Sequence, residues 1–188
     1  MKTYQRVPDE PDHERLFVDI SEYEVVADGT TLVAYGLGAC VGLAIYDPES
    51  DVGGLARAML PRQSDGAGTS DGKYVDAAVE TMVREAISAG AGYGGLEGYV
   101  VGGSDLLDLT QLPREVSENN VAAARETFAE LDVAVEGTAV GGSRGRTVEF
   151  DTATGEIRVV TAHDADPTLL RTSEDGSVSV GGGEDGED

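Results

Sequence analysis

The chain has 188 residues, enough for one domain with a sizeable core, and its formal net charge at pH 7 is −23. This acidic balance argues against a nucleic-acid-binding protein, because few basic residues remain to replace the counterions of phosphates, and against docking on anionic lipid. Hydrophobic residues still make up 40% of the sequence, which indicates a folded domain with an acidic surface.

The basic residues are mostly arginines, with Lys2 and Lys73 as the two lysines. Many carboxylates with few lysines are typical of a salt-rich cytosol, where charge repulsion is screened over about 3 Å at 1 M salt; an acidic protein from an ordinary cytosol is the alternative. The first 21 residues lack the apolar core of a signal peptide, and no run reaches the roughly 18 apolar residues of a spanning helix. We therefore predict a cytoplasmic protein that does not insert into the membrane.

Composition divides the chain into three parts. Residues 1–15 form a polar arm, residues 16–162 form the predicted folded domain, and residues 163–188 form an acidic tail. The tail has too few apolar side chains to order itself, so we expect a solvated appendage, with a partner-binding tail as the alternative.

Within the domain, short apolar runs predict strands and 3.6-residue spacing predicts helices. The first helix is expected to start at an Asp71 cap and end near Gly90, and the second to start at a Ser117 cap. Each helix has one apolar face and should lie on a sheet, which gives an α/β or α+β domain. The predicted strands are 31–35, 41–46, 52–59, 97–101, 133–139, 146–150 and 157–160, the last two joined by a hairpin loop at 152–155.

Cys40 is the sole cysteine, so the chain has no internal disulfide. It ends a glycine-flanked bend or bulge at residues 36–40, where backbone N–H groups can meet a developing oxyanion and a thiolate can attack a carbonyl carbon. The alternative is a small packed hydrophobe. His13 and His163 lie in the polar ends, so we expect no zinc site, and no cofactor is predicted.

A series of short motifs along the chain resembles those of a known protein family. Each one alone is a glycine-rich turn, but their order and spacing from about Ser21 to Val160 resemble the CheD family, the chemoreceptor glutamine deamidases. The motifs are Gly36–Val41, Tyr46–Pro48, Val52–Gly54, Met59–Pro61, Lys73–Ala78, Val101–Gly103, Gly141–Arg146 and Thr154–Gly155.

The resemblance implies an α/β fold of packed mixed β-sheets flanked by two main helices in a single domain. It also implies a cytosolic enzyme that converts receptor glutamines to glutamates through a cysteine thioester, and the family's nucleophile falls on Cys40. The partners it implies are the cytoplasmic helices of chemoreceptors and a CheC-type phosphatase of the response regulator.

Three positions depart from the family pattern. The family's catalytic histidine, seventeen residues after the cysteine, is Arg57 here, and its catalytic threonine is Ala34; the serine before the cysteine is Ala39. An arginine can stabilise a thiolate, but with a pKa above about 12 it cannot shuttle protons. His163 is expected to lie too far along the chain to take the histidine's place. Cys40 and Arg57 are the candidate catalytic residues.

Three hypotheses remain open at this point. The first is an active deamidase in which Cys40 attacks and Arg57 favours the thiolate. The second is a catalytically weak or inactive CheD-like regulator that binds chemoreceptors or a CheC-type phosphatase. The third is an acidic domain whose thiol is merely packed.

Overall fold

The structure is a computed structural model that describes residues 14–63, 71–105 and 114–173. The helices are α1 (Val75–Ser88) and α2 (Arg114–Glu130). The strands are β1 (Arg15–Phe17), β2 (Tyr23–Val26), β3 (Thr31–Leu37), β4 (Val41–Asp47), β5 (Val52–Ala58), β6 (Glu97–Gly102), β7 (Ala134–Val140), β8 (Arg146–Asp151), β9 (Glu156–Thr161) and β10 (Thr168–Arg171). Most of the polar arm lies outside the described residues, as do most of the loop after Gln63 and the tail from residue 174.

The strands form two five-stranded mixed sheets. The outer sheet has the order β1-β3-β8-β9-β10, and the central sheet has the order β2-β5-β4-β6-β7. Strands β1 and β3 pair in parallel, as do β6 and β7, and the other pairs are antiparallel. Helix α2 is the crossover that joins β6 to the parallel strand β7.

The elements pack as three layers, with the helices on one face of the central sheet and the outer sheet on its other face. Because the central sheet is covered on both faces, all residues of β4 are buried. One apolar cluster lies between the helices and the central sheet, and a second lies between the two sheets. This confirms the expected α/β class with packed mixed sheets and two main helices, and shows that both helices lie on the same sheet.

Both predicted helix caps are wrong. Tyr74 holds the N-cap position of α1 without a side-chain hydrogen bond, and the Val75 N–H donates to the Leu60 carbonyl at 2.8 Å. The incoming backbone therefore satisfies this helix end in place of Asp71. Helix α2 begins before Ser117, which is buried and donates from Oγ to the Ser104 carbonyl at 3.4 Å. The expected stop of α1 is confirmed, since Gly90 has a φ of 117°.

Strand β10 lies in the part of the chain that composition grouped with the acidic tail. It pairs antiparallel with β9, and Leu170 packs against the cluster between the sheets. Arg171 donates from Nε to Glu97 at 2.9 Å and lies 4.6 Å over the Tyr46 ring. Residues 163–173 thus include a strand that is attached to both sheets.

Candidate active site

Cys40 lies in the tight corner that joins β3 to β4. The pairing of β3 with β8 slips between Ala34 and Leu37, and Gly36 has a φ of +63°, which a side chain would disfavour. The corner therefore contains both a bulge and a bend, the two alternatives that the glycine spacing left open. The Cys40 side chain is half-buried against the cluster between the sheets.

Three successive carbonyl groups of this corner are bonded to donors in the protein interior. The Gly38 carbonyl accepts from the Ser104 N–H at 2.7 Å, and the Cys40 carbonyl accepts from the Gly103 N–H at 3.0 Å. Between them, the Ala39 carbonyl accepts from Asn120 Nδ2 at 3.0 Å. The residues after β6 and helix α2 thus fix the backbone on which the thiol is carried.

Arg57 reaches the same corner from β5. It pairs with Gly42 of β4, where a Cβ would lie only 2.9 Å from Leu37 Cδ1, so the glycine leaves room for the Leu37 side chain. Arg57 Nη2 donates to the Gly36 carbonyl at 3.3 Å, which links the central sheet to the outer sheet. Its Nε is buried, with no hydrogen-bond partner among the described residues.

The pKa of the Cys40 thiol is set by two opposing effects. Burial raises it, because the thiolate loses hydration, while the charge of Arg57 and a hydrogen bond from its guanidinium lower it. The net direction is upward, so the thiol is mainly protonated near neutral pH. Arg57 is the one charged side chain, among those the structure describes, that shifts this pKa.

The other described positions that the sequence singled out supply no proton carrier, and His13 lies outside the described residues. Ala34 and Ala39 are both buried and have no titratable side chain. His163 lies in an exposed turn after β9, where Arg144 and Asp164 form an ion pair, and it does not affect the pKa of the Cys40 thiol. Among the described residues, Cys40 and Arg57 therefore come together without a histidine.

Arg146 was not identified as a site residue from the sequence, although it lies within one of the motifs. Its Nη1 donates to Ser104 Oγ at 2.6 Å and to the Gly141 carbonyl at 2.7 Å. Burial, and then the neighbouring Arg144, lower the pKa of its guanidinium. Arg146 thus joins two glycine loops behind the thiol corner. A cavity of about 400 Å³ opens beside them, lined by Gly103, Asp105, Ser117, Glu118 and Gly141–Ser143.

Asn120 was also missed. It is fully buried on α2 and donates from Nδ2 to both the Ala39 and the Met59 carbonyls, each at 3.0 Å. The sequence carried a signal for it: this amide interrupts the apolar stripe of Val121, Ala124 and Phe128, and a buried amide needs partners.

Metal binding and membrane crossing are two further functions that the described residues bear on. Over the described ranges, no group of three or more His, Cys, Asp and Glu side chains is placed to hold a metal ion. Neither described helix combines the length and apolarity needed to cross a membrane.

Comparison with known families shows to which family the chain belongs. The family described as CheD chemotactic sensory transduction matches residues 59–161. The chain belongs to the CheD family. Cys40 and Arg57 precede the matched range, so the match assigns the family without bearing on these two residues.

Curated CheD relatives match most of the chain. A probable chemoreceptor glutamine deamidase CheD of Haloarcula marismortui is 35% identical over 86% of this chain and 94% of its own length. CheD 2 of Geobacter metallireducens, with the same probable activity, is 40% identical over 76% of this chain and 90% of its own. The chemoreceptor glutamine deamidase CheD of Thermotoga maritima is 33% identical over 76% and 88%. The chain is therefore a CheD-like chemotaxis protein.

Proposed function

We propose that this CheD-family protein converts glutamine side chains of chemoreceptors to glutamates in the cytoplasm, with Cys40 as the nucleophile. The observation that carries the proposal is a half-buried thiol on a fixed corner, within reach of the Arg57 guanidinium. The Thermotoga maritima relative is a chemoreceptor glutamine deamidase, and the other two are named as probable ones. The cytoplasmic helices of a receptor are the proposed substrate. A CheC-type phosphatase is the proposed regulatory partner.

The reaction proceeds in two halves. The Cys40 thiolate attacks the carboxamide carbon, a C–S bond forms and the carbonyl oxygen becomes an oxyanion. The C–N bond then breaks, ammonia leaves with an added proton, and a thioester remains. Water next attacks the thioester carbon, the C–S bond breaks, and the products are a glutamate carboxylate and the free thiol.

Arg57 has an electrostatic role in this scheme. Its positive charge favours the thiolate over the thiol, which is the direction in which it shifts the Cys40 pKa. A guanidinium keeps its protons throughout the accessible pH range. Solvent water must therefore protonate the departing ammonia, and it must also accept a proton from the water molecule that attacks the thioester. Among the described residues no acid–base group is positioned at the thiol. Its contribution, typically about 10²–10⁴-fold, is therefore lost, and turnover should be slow at neutral pH.

Ammonia release from a receptor cytoplasmic fragment tests this proposal. We expect release that is stoichiometric with fragment, slow with the wild-type protein, and absent with Cys40→Ala. Thr152→Ser is the matched control, because this buried hydroxyl donates to the Thr30 carbonyl between the sheets, away from the thiol. Binding of the fragment without ammonia release by the wild-type protein would instead support a regulator that acts by association alone.

A further inference from the structure

Asn120 connects the two segments that carry the candidate site residues. The Ala39 carbonyl immediately precedes Cys40, and the Met59 carbonyl lies two residues after Arg57. A carboxamide nitrogen has two hydrogens, so both donor positions of Nδ2 are used by these two bonds. The side chain is fully buried, and its Oδ1 has no hydrogen-bond partner among the described residues.

The bond to Ala39 determines where the next N–H group points. No cis peptide occurs in the described residues, and in a planar trans peptide the C=O and N–H groups point in opposite directions. Because the Ala39 carbonyl is directed at Asn120, the Cys40 N–H is directed away from α2 and towards its own sulfur, with which it interacts. This N–H lies beside the sulfur that would be bonded to the tetrahedral carbon of the intermediate.

The adjacent peptide has the same orientation. The Gly38 carbonyl is bonded to the Ser104 N–H, so the Ala39 N–H also points outward, and in the described part of the chain nothing accepts a hydrogen bond from it. Two neighbouring backbone donors therefore face the thiol side of the corner. Such donors stabilise an oxyanion when they are held in place before the reaction.

We propose that Asn120 is a positioning residue that holds the Ala39–Cys40 peptide with its N–H aimed at the oxyanion. The inference rests on the proposed function, in which Cys40 attacks a carbonyl carbon. Without the Asn120 donor, the Ala39 carbonyl is buried without a partner, and the peptide can turn over to reach water. The corner would then present a carbonyl oxygen, which repels an oxyanion.

Two reactions of the single thiol separate this role from simple support of the fold. Alkylation by iodoacetamide passes through no oxyanion, so its rate reports the accessibility and ionisation of the thiol. Acylation by p-nitrophenyl acetate forms a C–S bond through a tetrahedral oxyanion and releases p-nitrophenolate. The ratio of acylation to alkylation rates therefore measures oxyanion stabilisation, and Cys40→Ala supplies the background for both.

The variants are Asn120→Asp, which replaces the two donor hydrogens with an acceptor, and Asn120→Ser, which keeps one donor on a shorter side chain. The control is Thr127→Val, since Thr127 lies two turns further along α2, is 1% exposed and has an unpartnered Oγ1. We expect the acylation-to-alkylation ratio to fall by about 10²-fold in Asn120→Asp, as when one oxyanion donor is lost. Asn120→Ser should fall by at least about tenfold, and Thr127→Val should keep the wild-type ratio.

Equal losses in both reactions, or an unchanged ratio in Asn120→Ser, would overturn the inference. If Asn120→Asp does not fold, as circular dichroism would show, Asn120→Ser decides alone. The assay needs no receptor, so it can succeed or fail independently of the proposed function. A fall in the ratio, together with no receptor deamidation by the wild type, would support the role of Asn120 and exclude the proposed substrate. Cys40-dependent receptor deamidation with an unchanged ratio would support the proposed substrate and exclude this role for Asn120.

Discussion

Arg57 Nη2 lies 3.3 Å from the Gly36 carbonyl oxygen, so one guanidinium links the two sheets at the corner where the thiol is carried. The same guanidinium lowers the pKa of the Cys40 thiol, against the larger upward effect of burial. A residue that bridges the sheets and stabilises a thiolate does two of the tasks that the site needs. It leaves proton transfer to water.

Replacing Arg57 with histidine should increase deamidation. An imidazole titrates near neutral pH, so it can accept the thiol proton and return one to ammonia. We expect Arg57→His to raise the rate on a receptor fragment by about 10²-fold at pH 7, at the low end of a typical acid–base contribution. The check is an initial-rate ammonia assay, with Arg57→Gln as the control that removes charge without adding a base; equal rates for the His and Gln variants would count against the account.

The pH dependence of Cys40 alkylation follows from the raised pKa of its thiol. Only the thiolate reacts, so the iodoacetamide rate should rise about tenfold per pH unit through neutral pH and level off only above the ordinary thiol range. Arg57→Ala should slow alkylation at pH 7, because the favourable charge is removed. Arg158→Ala, which breaks an exposed ion pair with Glu156, is the matched control; a plateau already reached below pH 7 would contradict the raised pKa.

Most of the strands, but not the short ones, were predictable from the sequence. Strands β3 and β4 are long, apolar and bounded by glycine or proline, so their existence follows from composition alone. Strands β1 and β2 are only 3 and 4 residues long and none of their residues is fully buried, so no period stands out. Their place is set by tertiary pairing.

Only some of the site residues can be predicted from the sequence, because the others are set by tertiary contacts. Cys40 stands out as a lone thiol at a glycine corner, and Arg57 only because the family resemblance marks its position. Asn120 donates to backbone carbonyls that are distant in sequence, and Arg146 donates to the distant Ser104 hydroxyl. Such partners are fixed by packing. A polar residue beside an apolar helical stripe is the local signal that points to Asn120.

Substitution of Gly102 tests whether the backbone of the Cys40 corner is held in place by its neighbours. Gly102 has a φ of 102°, and a Cβ there would lie 2.5 Å from the Cys40 carbonyl oxygen. Gly102→Ala should therefore destabilise the fold by more than the roughly 1–2 kcal/mol of backbone strain and should change the iodoacetamide rate of Cys40. Gly90→Ala is the matched control, because its φ is 117° but a Cβ would meet nothing within 4 Å.

Denaturant unfolding and alkylation of both glycine variants provide the measurement. Gly90→Ala should keep the wild-type alkylation rate. Equal losses of stability in the two variants, with both alkylation rates unchanged, would show that Gly102 does not constrain the position of the Cys40 carbonyl.

Salt should stabilise the fold. With a net charge of −23, the surface repels itself when it is unscreened, and molar salt shortens the range of that repulsion to about 3 Å. We expect Tm to fall on transfer from molar salt to dilute buffer, by about 2–4 °C for each kcal/mol of stability lost. Scanning calorimetry at both salt concentrations is the check, and an unchanged Tm would remove the halophilic interpretation.

Peptide mass spectrometry of a receptor cytoplasmic fragment tests the central claim most directly, because it reads the conversion of individual glutamines to glutamates. The fragment is incubated with the wild-type protein, with Cys40→Ser, and with wild-type protein whose single thiol has been blocked by iodoacetamide. The account predicts conversion at defined glutamines with the wild type and none with the other two. Conversion that persists after the thiol is replaced or blocked would contradict it.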